Sequence, residues 1–133
     1  MARTPVLAHL GHERFVSLST FKRSGEAVPT PVWVLPDGLA LVVSTPAAAG
    51  KLKRIRNDPR VTLQPCDRRG NVDPEAPLVE GTAEIIADSA ASEAVSRRLA
   101  DKYGLEFRVF RVVEWLLKRG NSDRVVLRIT ANP

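Results

Sequence analysis

The sequence predicts a mainly β domain, a small antiparallel β-barrel of six strands accompanied by three or so helices. Three observations carry that expectation. Short apolar runs of alternating character recur along the chain, tight turn signals separate them, and amphipathic helical patterns stand between and after them. Hairpin-length connections imply antiparallel pairing, and six such strands around one core most naturally close on themselves. The size agrees, since 133 residues suit one domain over 1–133 and the 34 Val, Leu and Ile residues supply its core.

Val6 to His12 has the length of one short helix ahead of the first strand. Phe15 to Phe21 then alternates in part, with Val16, Leu18 and Thr20 opposite Ser17 and Ser19, which is strand periodicity. Lys22-Arg23-Ser24-Gly25-Glu26 follows as a hairpin turn, with Gly25 where a positive φ is needed. A second strand runs through Val28, Val32, Trp33 and Val34. Its Pro29 and Pro31 lack amide hydrogens and so place it at an edge or beside a ligand. Pro36-Asp37-Gly38 reads as a turn, and Leu39 to Thr45 as a third strand buried on both faces.

The first clear helix is expected over Ala47 to Asn57, ended by Asp58-Pro59. Arg60 to Cys66 reads as a fourth strand and Asp67 to Asn71 as a turn. Leu78 to Ala87 is a long fifth strand in which Gly81 marks a bulge or bend. Asp88 and Ser89 are good N-caps for a helix running to Tyr103, with Gly104 as its stop. Glu106 to Lys118 forms another helix with Val109, Val112, Val113 and Leu116 on one face. Gly120 closes it, and Val125 to Thr130 makes the last strand. The apolar face raises a membrane or dimer role, but packing against the core is the favoured expectation.

Composition excludes more than charge does. Lys plus Arg number 20 against 15 Asp plus Glu, a net charge of +5, and 15 of the cations are arginine. Such a surplus attracts nucleic acid, acidic membranes or phosphorylated small molecules alike. No apolar run approaches the ~20 residues of a membrane span. Met1-Ala2-Arg3-Thr4-Pro5 lacks the apolar run of a signal peptide, so a cytoplasmic domain is expected. Cys66 is the only cysteine, which excludes an internal disulfide and a cysteine zinc site. Asp67 beside it disfavours a thiolate, and a buried strand cysteine is the expected state. His9 and His12 have no evident third ligand and are read as solvent-facing, so no metal is expected. No G-x-S-x-G elbow occurs, so if the protein is an enzyme a cofactor is expected to do the chemistry.

The densest functional signal is Ser44-Thr45 at a strand end followed by Gly50-Lys51-Leu52-Lys53-Arg54-Ile55-Arg56. At about 100° per residue, Ala48, Leu52 and Ile55 form one stripe, Lys51 and Arg54 share its flank, and Lys53 points away. Two cations beside two hydroxyls make an anion pocket suited to a phosphate; the alternative is a solvated basic face. A basic helix also suits nucleic-acid phosphates, but zinc-finger spacing and stacking aromatics are both missing, which disfavours that partner. Trp33, between valines and near Pro31, is either core or the wall of a planar ligand.

Read in order, these residues resemble a known family. Val16-Ser17-Leu18-Ser19-Thr20-Phe21, Gly25 and Thr30-Pro31-Val32-Trp33 are similar to the start of the pyridoxamine-phosphate-oxidase-like split β-barrels, an FMN-binding-like fold. Ser44-Thr45, Gly50 to Val61, Cys66 to Gly70, Glu80-Gly81-Thr82-Ala83 and Lys102-Tyr103-Gly104 continue the resemblance over nearly the whole chain. It is closest to the actinobacterial branch described as F420-dependent oxidoreductases. The resemblance implies a homodimer with one cofactor at each end of the interface, F420 or alternatively FMN. It assigns the cofactor phosphate to Lys51 assisted by Lys53 or Arg54, with Ser44 and Thr45 adding hydroxyls. Thr30, Pro31, Val32 and Trp33 would line the ring, and Cys66 joins the cofactor-binding set. Hydride would pass directly between the deazaflavin and a small-molecule acceptor, without a protein nucleophile. The second arginine-lysine strand motif and C-terminal arginine region of vitamin B6 oxidases are absent, which favours the deazaflavin branch. A non-catalytic flavin or deazaflavin binder is the alternative of different class.

Overall fold

The structure, a computed structural model, describes residues 4–117 and 123–131. Helix α1 (Thr4–His9) and a 3-10 turn (Leu10–His12) lead into strands β1 (Phe15–Phe21), β2 (Ala27–Val32), β3 (Leu35–Asp37) and β4 (Ala40–Pro46). Helix α2 (Gly50–Asn57), β5 (Arg60–Cys66) and β6 (Val79–Ile86) follow, then α3 (Ser89–Tyr103), α4 (Leu105–Leu117) and β7 (Arg124–Ala131). All pairings are antiparallel and give one sheet of order β2-β1-β5-β6-β7-β4-β3, so β2 and β3 are its edges.

The sheet curls around its core. Val16 and Leu18 of β1 share one buried cluster with Leu41 and Val43 of β4, although three strands separate them in the sheet. Leu7 and Leu10 from the N-terminal turns and Leu52 and Ile55 from α2 enter the same cluster. A second core covers the other face, where Leu35, Val42 and Val126 meet Val95, Leu99 and Tyr103 of α3 and Phe107 of α4. The α3 residues recur four apart, the spacing that puts one stripe on the sheet. Asp88 caps α3 by accepting from the Ala91 N–H, and Gly104 ends it at φ +63°. The β1–β2 hairpin turns at Gly25 with φ +91° as expected.

Four expectations need correction. There are seven strands, because β2 ends at Val32 and the chain re-enters the sheet as the three-residue β3. The turn read at Pro36-Asp37-Gly38 is narrowed to Gly38 and Leu39, with Pro36 opposite Leu41 and Asp37 opposite Ala40. Helix α2 begins at Gly50 and not Ala47. The intervening residues are held as a turn, with the Ala47 N–H on the Asp123 carbonyl and the Ala49 N–H on that of Pro46. Gly81 is no bulge, since β6 runs in unbroken register past it; an added Cβ would meet Ile129 at 2.9 Å and the Thr130 carbonyl at 3.0 Å. Close packing against β7 keeps a glycine there.

The largest correction concerns α4. Val109, Val112, Val113 and Leu116 are about half exposed or more, together with Trp115 and Leu117, while Phe107 and Glu114 are the buried residues. The helix has two apolar faces, and its aromatic one takes the core. Lys118 and the expected stop at Gly120 lie outside the described residues. Among the described residues, no helix is long and apolar enough to cross a membrane.

Candidate functional site

One end of β4 organises a cleft of about 260 Å³. β4 is buried on both faces from Ala40 to Val43, as the sequence predicts, and at its end the half-buried Ser44 and the buried Thr45 bring two hydroxyls to the first turn of α2. The β4–β7 register sets Pro46 opposite Arg124 and thereby carries an arginine from the far end of the sequence to the same spot. Lys51 comes from the first turn of α2 and Arg68 from the turn after β5. Phe15, Pro31, Val32, Trp33 and Phe110 form the apolar walls.

Trp33 owes its position to the break between β2 and β3. Its ring lies 5.4 Å from that of Tyr103, 5.3 Å from Phe107 and 4.8 Å from Phe110, the last two edge to face. Such aromatic pairs fix an orientation as well as burying area. The indole Nε1–H is buried without an acceptor. Over the other walls, the Arg68 guanidinium sits 5.7 Å from the Phe15 ring and that of Arg124 5.7 Å from Phe110.

The polar groups are all donors toward the cleft. Lys51 Nζ donates to Thr45 Oγ1 at 3.2 Å, and Arg124 Nε donates to Ser44 Oγ at 2.8 Å. Each hydroxyl oxygen is thus engaged as an acceptor, which leaves its O–H to give away. Lysine and arginine have nothing but N–H to offer. Burial pulls the Lys51 ammonium below its ordinary range, helped by the nearby charges of Arg124 and Arg54. Burial also lowers Arg124, against the opposing pull of Glu114. A half-buried lysine beside two cations is a site short of negative charge. Arg68, by contrast, is paired with Glu106 at 3.0 Å.

Of the residues expected to bind a cofactor, Pro31, Val32, Trp33, Ser44, Thr45 and Lys51 line this cleft. Thr30, Lys53, Arg54 and Cys66 are not among its lining residues. Thr30 is paired with Leu18 in the sheet. Arg54 Nε donates to the buried Thr20 hydroxyl at 2.7 Å, and Arg54 and Lys53 line a separate basic recess with Lys22, Arg23 and Asn57. Cys66 is half-buried at the end of β5, where burial, helped by Asp67, raises its thiol. His9 and His12 are exposed, and no metal-binding group of residues exists among those described. Phe15, Arg68, Phe110 and Arg124 are additional cleft residues. The signal for Arg124 was an arginine directly before the last apolar strand, a place that usually means only a solvated end.

The donor set and the walls fit a phosphorylated planar cofactor. Lys51, Arg124, Ser44 and Thr45 match the acceptor-only oxygens of a phosphate, and Trp33 with the prolines and phenylalanines matches a ring.

Comparison with known proteins agrees in fold. A family model described as pyridoxamine 5'-phosphate oxidase matches residues 5–132. A conserved hypothetical protein of Mycobacterium tuberculosis superposes with a TM-score of 0.69 at 22% identity, covering 100% of this chain and 82% of that one. An F420 reductase gives a TM-score of 0.65 at 19% identity over 94% of this chain and 92% of its own. The heme storage protein of Vibrio cholerae gives 0.64 at 13% identity, covering 100% and 92%. Among curated proteins, none matches the chain in sequence.

Proposed function

The chain belongs to the pyridoxamine 5'-phosphate oxidase family, and from that premise we propose that it binds F420, with FMN as the alternative, and passes hydride between the cofactor and a small-molecule acceptor. The observation that carries this is the donor-only polar set of the cleft, placed against an aromatic wall. Lys51, Arg124, Ser44 and Thr45 would hold the phosphate, and Trp33 and Pro31 would flank the ring. The bound cofactor supplies the hydride chemistry. The protein orients the ring, excludes water through Trp33, Phe15 and Phe110, and places positive charge near the reacting groups.

The cleft belongs to a homodimer in this proposal. Its 260 Å³ falls below the about 300–1,000 Å³ of complete small-molecule sites. Phe110 at its rim sits on α4, whose exposed Val113 and Leu117 continue the same side of the helix. A second copy seated on α4 would bury that face and add the missing wall.

One observation favours a binder without turnover. Among the described lining residues the cleft holds no carboxylate, imidazole or thiol, which leaves as its acid the Lys51 ammonium that the phosphate would already engage. Fluorescence titration with F420 and, separately, FMN tests both readings. Micromolar or tighter F420 binding, followed by acceptor-dependent oxidation of the reduced cofactor, supports the reductase. Tight binding with no turnover for any acceptor supports the carrier, preference for FMN reassigns the cofactor, and binding of neither removes the proposal.

A further inference from the structure

The Glu114 side chain is buried at 7% exposed beside that of Arg124 at 5%, yet Glu114 does not line the cleft. Its carboxylate accepts from Arg124 Nη1 at 2.5 Å and from Arg111 Nη1 at 2.7 Å. Arg124 turns its other two edges onto Ser44, with Nε on the hydroxyl oxygen at 2.8 Å and Nη2 on the carbonyl oxygen at 3.0 Å. The guanidinium is planar and its donor directions are fixed together, so fixing one edge fixes the others.

We propose that Glu114 is a positioning residue for the anion site, acting from helix α4 through Arg124 to make the Ser44 hydroxyl a donor toward the ligand. This rests on the phosphate-binding reading of the cleft and deepens it. Two effects of the carboxylate oppose each other. As a nearby negative charge it repels an anion, so its loss would tighten binding. As the partner of a buried arginine crowded by Arg111 and Lys51, it holds the cation in place, and its loss would let Arg124 swing away from Ser44. Its burial makes the second effect dominant, because a buried arginine without its carboxylate is strongly disfavoured where it stands.

The test uses FMN fluorescence titration, repeated with F420, on the full chain and on E114A, E114Q, S44A and the double variant E114A/S44A. Glutamine keeps an acceptor for Arg124 Nη1 without the charge. The expected result is that E114A binds about tenfold more weakly, that E114Q stays within about threefold of the wild type, and that E114A/S44A is no weaker than the weaker single variant. A merely structural Glu114 would lower the melting temperature and give additive losses with S44A. Additive losses, or E114A binding as tightly as the wild type or tighter, overturn the proposal. Should E114A not fold, Glu114→Leu fills the volume without an acceptor and carries the same expectation. A wild type that binds neither cofactor removes the functional reading, and this proposal with it; a wild type that binds, with E114A unchanged, removes only this proposal.

Discussion

The hydroxyl of Tyr103 accepts the backbone N–H of Val34 at 3.1 Å and donates to the carbonyl oxygen of Arg14 at 2.7 Å. One residue earlier, Lys102 Nζ donates to the carbonyls of Gly11, Glu13 and Val34 at 2.8, 2.9 and 2.6 Å. The end of α3 therefore satisfies the backbone where β2 breaks before β3, and that break is what presents Trp33 to the cleft.

Tyr103→Phe leaves the fully buried Val34 N–H without its acceptor. An unpaired buried donor costs about 1–3 kcal/mol, and urea unfolding should show a loss of that size. FMN affinity should fall as well, since Trp33 loses the anchor beside it. Unchanged stability would mean that the hydroxyl contributes nothing to the break.

Lys51→Ala should weaken cofactor binding by about 1.5–3 kcal/mol, the scale of a hydrogen bond to a charged group. Lys53→Ala should leave the dissociation constant within about twofold, because Lys53 is exposed and outside the cleft. Arg54→Ala should act mainly on stability, through the Thr20 hydroxyl it leaves unpaired. Equal losses of affinity for all three would move the phosphate toward the outer face of α2.

The lowered pKa of Lys51 has a definite sign. The free folded chain releases this proton more readily than the unfolded chain, so between the lowered value and the ordinary 10.5 its stability gains from rising pH. Anion binding works in reverse, because the phosphate favours the ammonium. Affinity for FMN should fall as pH rises through the lowered pKa, and Lys51→Arg should flatten that profile. A wild-type profile that is flat to pH 10.5 would contradict the assignment.

How far the sequence led depends on whether the determining contact was local. Alternation along Phe15–Phe21 and Arg60–Cys66, the Asp88 cap and the Gly104 stop are local, and each stands where periodicity and side-chain chemistry placed it. The three-residue β3 was hidden because Pro36-Asp37-Gly38 has turn chemistry, and only pairing with β4 makes a strand of it. On α4 the aliphatic stripe is the larger, so a helical wheel turns it inward. The core instead takes Phe107, whose ring contacts Trp33, and Glu114, which meets Arg124. Ser44, Thr45 and Lys51 are neighbours in sequence and were legible as a site. Arg124 is 80 positions from Ser44, and only the β4–β7 register joins them.

Gly81→Ala should destabilise the fold by about 1–3 kcal/mol, the range for overpacking a filled core. The added methyl meets Ile129 and the backbone of β7 at once, and backbone cannot yield as a flexible side chain can. Thermal unfolding of the variant measures this directly. A neutral result would mean that β6 and β7 can move apart.

Val113→Asp and Leu116→Asp place charges on the exposed face of α4, where the monomer buries neither residue. Light scattering after size exclusion should show a dimer for the wild type and a monomer for the variants, with far-ultraviolet circular dichroism unchanged. A monomeric wild type would separate the cleft from any second copy.

Pro29 and Pro31 lie two apart on the edge strand β2, so both lost hydrogens are on one side of the ribbon. The ladder from β2 to β1 is intact over six pairs, which puts the gap on the open side. An extra strand approaching there finds no N–H at Pro29 or at Pro31. Stacking of chains into fibres through this edge is therefore blocked by covalent structure rather than by surface charge, and it stays blocked in high salt, where repulsion between basic surfaces is screened away.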